Sequence, residues 1–187
     1  MTAAALTDDG AAQHLKRGMR MPDVALPTTG GRDVNFAQLP GRVIVYCYPW
    51  TGRPGLSNPP RWDDIPGAHG STPQSEAFRD LYPGFAQVGA AVFGLSTQAT
   101  DYQREFADRL ALPFELASDA NFQLQQALSL PTFETGGVTY LKRLTLALRD
   151  GRLERVYYPV SAPAAHAREV CAWLGMIHSS DLRKGGV

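Results

Sequence analysis

The stretch IPGAHGSTPQSEAFRD, residues 65–80, decides how the chain is read. Pro66, Gly67 and Gly70 break the backbone, and directly afterwards Phe78, Leu81, Phe85 and Val88 recur at i, i+3, i+7 and i+10. That spacing predicts a helix over 72–88 with one apolar face. Ser71 stands at its start, where backbone N–H groups and the positive end of the helix dipole favour an anion. Local physics also offers this serine a plainer role, as an N-cap with Pro73 in the first turn behind it.

Upstream, VIVYCY (43–48) is a continuous apolar run after Pro40-Gly41, as expected of a strand buried on both faces. It stops at Pro49. Residues 50–70 then carry Pro54, Pro59, Pro60 and Pro66 among several glycines, too many breakers for regular structure. A loop of about 20 residues inside one domain is more often functional than idle. Before the strand, alternating stretches around Val24–Leu26 and Val34–Phe36 flank Thr-Gly-Gly-Arg-Asp and read as a hairpin.

Downstream, the pattern predicts strand 90–96, helix 100–110, short strand 114–117, helix 121–128, strands 139–148 and 152–158, and helix 163–176. Asp150-Gly151 between the last two strands is a two-residue hairpin signal. The order describes an α/β domain of three layers around a central mixed β-sheet, with the N-terminal β-hairpin in front. We divide the chain into an N-terminal arm, mobile or loosely docked, over 1–18, one domain over 19–177, and a C-terminal tail over 178–187.

Of 187 residues 44% are apolar, enough for one sizeable core. Eighteen basic side chains balance eighteen acidic ones, so no net field draws the protein to nucleic acid or to an anionic membrane. No apolar run approaches the roughly 18 residues that span a bilayer. The start, MTAAALTDDG, carries acids where a secretory signal carries bases, so a cytoplasmic location is expected. Cys47 and Cys171 are far apart and form no CxxC, which argues against a disulfide framework or a thiolate metal site. Both are expected in the core, Cys47 on the strand face of Val43 and Val45, and Cys171 near Val170 and Trp173.

Ligands of open α/β sheets bind beyond the carboxyl ends of strands, which here means the loop between strand 43–48 and the helix after it. His69, two residues before Ser71, invites a hydrolase reading. The segment lacks the Gly-x-Ser-x-Gly elbow, however, and the sequence assigns no carboxylate to orient the histidine. Arg53 between Gly52 and Gly55 fits neither a phosphate loop nor a dinucleotide fingerprint.

Gly70-Ser71-Thr72-Pro73-Gln74-Ser75-Glu76-Ala77-Phe78-Arg79-Asp80 resembles the peroxidatic segment of the peroxiredoxins, nearest to the Q-type or bacterioferritin-comigratory subgroup. The family pattern is Gly-Cys-Thr-x-Gln-x-Cys-x-x-Arg-Asp, matched at every fixed position except the two cysteines. The likeness extends from Met21 to Trp173. MPDVALPTTGGRDVNFAQLPGRVIVYCYP is similar to the family's opening hairpin and first core strand, VFGLSTQ and LPFELASDAN to later segments, and KRLTLALRDGRLERVYYP to the strand pair that carries its active-site arginine.

The resemblance implies a thioredoxin-like fold and a thiol peroxidase acting on hydrogen peroxide or alkyl hydroperoxides. It implies no metal or organic cofactor, a thioredoxin- or glutathione-type reductant, and a monomer or homodimer. It assigns Ser71 to the peroxidatic position, Arg143 and Thr51 to catalysis, and Pro49, Thr72 and Gln74 to substrate binding. Glu76 falls at the resolving position. Thr51 matches in type but not in spacing, so the loop 50–70 reads as an insertion beside the pocket: a lid, a specificity loop, a dimer contact or a surface excursion.

Ser71 departs from the pattern where the chemistry is most demanding. A thiol of pKa about 8.5 can be drawn to thiolate by a helix N-terminus and a nearby arginine, whereas a lone hydroxyl has no comparable route. Serine also cannot pass through sulfenic acid and disulfide. The chain as given is therefore expected to lack peroxidase activity at this site. Because Thr72, Gln74, Arg79 and Arg143 keep family-like positions, a deliberate Cys-to-Ser replacement is the expectation. The alternative is a naturally non-catalytic thioredoxin-fold binding protein. Glu76 is expected to serve the first helical turn, pairing with Arg79.

Overall fold

Strand β3 (Arg42–Cys47) sets the layering, because its side chains alternate between two apolar clusters. Val43, Val45 and Cys47 enter one cluster and Ile44 and Tyr46 the other, and all five are essentially inaccessible to solvent. The computed structural model describes residues 6–176. Around β3 the sheet is completed by β4 (Ala90–Ser96), β5 (Leu116–Ser118), β8 (Leu144–Arg149) and β9 (Arg152–Tyr157) in the order β5-β4-β3-β8-β9. β3, β4 and β5 run parallel, while β8 and β9 are antiparallel to their neighbours, so the sheet is mixed as expected.

Helices α1 (Ser71–Gln87), α2 (Thr100–Arg109) and α4 (Pro163–Trp173) supply Phe78, Phe85, Phe106, Ala167 and Val170 to the cluster on one face. Phe78 stacks on Tyr46 with ring centroids 4.6 Å apart, which seats α1 on β3. The other face is covered by α3 (Gln123–Leu128), through Leu124 and Leu128, and by the hairpin of β1 (Ala25–Pro27) and β2 (Asp33–Asn35). Asp150 and Gly151 join β8 to β9 with φ of 49° and 71°, the conformation that a two-residue turn demands.

Two expectations need correction. The strand expected over 139–148 is two: β7 (Val138–Leu141) leaves the main sheet and pairs with β6 (Thr132–Thr135), with Gly136-Gly137 between them. That Gly-Gly was a legible hairpin signal. Of residues 1–18, read as an arm that is mobile or loosely docked, 6–18 lie against the domain. Ala12 and Leu15 are buried in the cluster of Val43, Val45 and Cys47, and Asp9 is held by Lys142 Nζ at 2.6 Å and by the Tyr158 hydroxyl at 2.7 Å. Sparse apolar positions can dock through a few contacts without a sustained period. The second correction concerns Ser71, which is not the cap of α1 but its first residue. The cap is Gly70, at φ 108°, where an added Cβ would come within 2.5 Å of Pro163 Cγ, so glycine alone fits. The tail read over 178–187 lies outside the described residues, as do residues 1–5.

Candidate active site

β3 ends at the mouth of the loop, and α1 begins at its far side. Freed from capping, the Ser71 hydroxyl accepts a hydrogen bond from Arg143 Nη2 at 3.1 Å. Arg143 stands just before β8, where the chain crosses from β7, and its guanidinium reaches across to α1. Nη1 donates a short bond to Gln74 Oε1, one helical turn below Ser71. Nη2 is also near the carbonyls of Gly67, Ala68 and His69, the last at 3.1 Å. Ser71 and Gln74 on the first turn of α1 and Arg143, some 70 residues further along the chain, thus form one buried unit, exposed by 4%, 0% and 4% respectively.

Burial disfavours the charged arginine and lowers its pKa to about 10, leaving it cationic at neutral pH. Its hydrogen-bond partners are all neutral, and among the described residues no carboxylate pairs with it. Arg143 Nε and Gln74 Nε2 are buried without a partner. A buried cation that meets only neutral acceptors is a strong electrostatic feature of the site.

Ser71 and Thr72 line a cavity of about 230 Å³ with Thr51, Trp50, Trp62 and His69. Thr51 is therefore in the site despite its displaced spacing in sequence. It is buried, and both its N–H and its hydroxyl donate to Gln98 Oε1, at 3.0 and 3.1 Å. Gln98, which follows β4, was not singled out from the sequence; its only signal was position beyond a strand's carboxyl end. Pro49 is buried where β3 gives way to the loop and is not among the cavity's walls. Glu76 is half-buried and outside the cavity, and the expected pair with Arg79 is not made. Arg79 instead bonds Asp80 at 2.9 Å and the Leu110 carbonyl at 3.0 Å.

The loop is tied down by aromatic packing. Trp62, within a single 3-10 turn (Trp62–Asp64), lies 5.4 Å from Trp50, 5.7 Å from Phe133 and 5.1 Å from Tyr140 between ring centroids. The β6–β7 hairpin thus acts as a platform for the insertion. Arg53 lies over Tyr102 at 4.1 Å and pairs with Glu105 at 3.6 Å, so it fastens the loop to α2. His69 does have a carboxylate partner, contrary to the sequence reading: Asp63 Oδ1 is 2.7 Å from Nε2. Ser71 nevertheless bonds Arg143 and not His69, so no serine triad is assembled.

Both cysteines are free and buried on opposite faces of the sheet, Cys47 with the α3 side and Cys171 with the α1–α4 side. Burial pushes the Cys171 thiol up to about 11 and the Cys47 thiol further still, so neither is a thiolate at neutral pH.

Residues 16–170 match the redoxin family. The chain belongs to that family. Peroxiredoxin Q of Sedum lineare chloroplasts is 30% identical over 169 residues, covering 89% of this chain and 82% of that protein. The peroxidoxin BcpB structure from Mycobacterium tuberculosis aligns with a TM-score of 0.70 at 26% identity, over 89% of this chain and all of that one. The bacterioferritin comigratory protein of Xanthomonas campestris, described for its alkyl peroxide reduction activity, aligns at 0.68 and 24% identity over 86% and 98% of the two chains. The protein is a Q-type peroxiredoxin with a thioredoxin-like fold, of a family of thiol peroxidases. Ser71 is thus a hydroxyl held in a redoxin scaffold by an arginine.

Proposed function

We propose that the pocket around Ser71 is a peroxidatic site whose activity belongs to its cysteine form, and that the serine form does not turn over peroxide. The observation that carries this reading is the bond from Arg143 Nη2 to the side chain of residue 71 at the first turn of α1. With cysteine there, the cation and the helix N-terminus would favour thiolate. The thiolate attacks one peroxide oxygen, the O–O bond breaks, and the other oxygen leaves as water or alcohol after protonation. Arg143 stabilises the charge that develops on the oxygens, as fixed donors do in oxyanion sites. The sulfenic acid left on sulfur then condenses with a thiol, with loss of water.

Glu76 occupies the resolving position, and Cys47 and Cys171 are buried. These features support a one-cysteine cycle in which an external thiol of thioredoxin or glutathione type restores the site. Hydrogen peroxide and alkyl hydroperoxides are the substrates, and two free cysteines on opposite faces of the sheet suit a reducing, cytoplasmic setting. The test is sulfenic acid trapping with dimedone after one equivalent of peroxide. Ser71→Cys should carry the adduct at residue 71 and the serine form none; an adduct on Cys47 or Cys171 would contradict the assignment.

A second reading, a natural binding protein, draws on the loss of sulfur at both positions, 71 and 76, since Glu76 is no steric mimic of cysteine. The codon for residue 71 in the source gene separates the two: cysteine supports the peroxidase, serine the binder.

A further inference from the structure

Thr51 forms part of the wall of the Ser71 cavity, and Gln98 supplies every hydrogen bond that Thr51 makes among the described residues. The Thr51 N–H and hydroxyl both donate to Gln98 Oε1, at 3.0 and 3.1 Å, and Gln98 Nε2 donates to the Thr51 carbonyl at 3.1 Å. The two backbone partners fix which end of the amide is oxygen, and an amide oxygen only accepts. The hydroxyl hydrogen of Thr51 is therefore committed to Gln98, and towards a ligand in the cavity this side chain can offer only lone pairs. Gln98 is itself anchored: its N–H donates to Ser96 Oγ at 3.2 Å and its carbonyl accepts from Ser118 Oγ at 2.6 Å. Both serines are buried at the carboxyl ends of β4 and β5. Gln103 Nε2, from α2, donates to Ser96 Oγ and to the Ala117 carbonyl, each at 2.9 Å. A continuous set of hydrogen bonds thus runs from the central sheet to Thr51 in the insertion.

We propose that Gln98 is a positioning residue for the substrate: it holds Thr51 in the cavity wall with its hydroxyl turned into an acceptor for the O–H of a hydroperoxide. The inference rests on the peroxidase reading of the pocket and adds to it the group that receives the substrate's hydrogen. Gln98 is not among the cavity's walls, so it acts through Thr51. The bond to Thr51 orients the O–H oxygen, the one that an alkyl hydroperoxide transfers to sulfur. Its proton stays on that oxygen as the sulfenic acid forms, the O–O bond breaks, and the other oxygen leaves with the electron pair to be protonated. Thr51 gives up no proton in the step, as its commitment to Gln98 requires.

The experiment compares Ser71→Cys alone with Ser71→Cys carrying Gln98→Met, Thr51→Val or both; methionine keeps the length of glutamine without its amide. The second-order rate constant for sulfenic acid formation with hydrogen peroxide should fall about tenfold in each variant and no further in the pair, the scale of one lost hydrogen bond. Alkylation of the thiol at residue 71 by iodoacetamide, which needs no acceptor, should keep the parent rate in all of them. In the serine form, Gln98→Met should speed amide exchange at residues 50–52 while β4 keeps its protection. The inference is overturned if Gln98→Met reacts with peroxide at the parent rate, if the two losses add, if alkylation slows in proportion, or if exchange at 50–52 is unchanged. Each of those results leaves the peroxidase reading standing. A Ser71→Cys parent that forms no sulfenic acid with Gln98 intact removes the peroxidase reading, and this inference falls with it.

Discussion

On the proposed reading, one oxygen in place of sulfur at residue 71 separates a catalytic scaffold from an inert one. Ser71, Gln74 and Arg143 keep their mutual hydrogen bonds, so the surroundings are ready for a chemistry that the hydroxyl cannot perform. In a Ser71→Cys background, Arg143→Gln should lower peroxide turnover about 100-fold or more, the scale for removing a donor that meets developing charge. Steady-state rates at saturating peroxide measure it. The remaining cysteines give a separate check. Held neutral by burial, Cys47 and Cys171 should resist iodoacetamide in the folded protein at pH 8 and react on unfolding, as mass spectrometry would show. Much of this site was legible in sequence only through the family pattern. Composition and periodicity point to the helix start, but no local signal connects Arg143 to a serine 72 positions away.

Among the elements, the start of α1 and the aromatic loop matter most to the site. Gly70 combines φ 108° with a Cβ position only 2.5 Å from Pro163 Cγ, so Gly70→Ala should cost about 2 kcal/mol or more in denaturant unfolding and disturb the helix start. Trp62→Ala removes the ring shared by Trp50, Phe133 and Tyr140. It should destabilise the protein by about 3 kcal/mol and speed hydrogen exchange across the loop before the rest of the domain. Strands and helices with a clear period, such as β3, β4 and α1, were readable almost to the residue. The β6–β7 hairpin was obscured because β7 and β8 read as one strand continuing across Lys142-Arg143, although Gly136-Gly137 announced the turn. The aromatic cluster was not readable, since its members are brought together by tertiary packing across distant segments.

For the whole molecule, two apolar clusters on opposite faces of one sheet fix where the loop and α1 meet. The arm residues 6–18 extend the cluster on the α3 side of the sheet, and Asp9 anchors them. Hydrogen bonds from Lys142, Tyr158 and the Ala11 N–H hold its carboxyl well below the usual carboxylate range. A depressed folded-state value contributes stability that is full above the unfolded value of about 4 and is lost as pH falls towards the folded one. Hydrogen exchange at residues 12–15 should therefore accelerate as pH drops below about 4, after correction for the intrinsic rate. Asp9→Asn should show the faster exchange already at pH 7.

On the proposed reading the fold presents a peroxidatic pocket complete except for sulfur. Peroxide consumption with dithiothreitol as reductant, by the serine form and by Ser71→Cys side by side, tests it most directly. The cysteine form should turn peroxide over and the serine form should not. A folded Ser71→Cys protein that leaves peroxide untouched, or a serine form that consumes it, would contradict the claim.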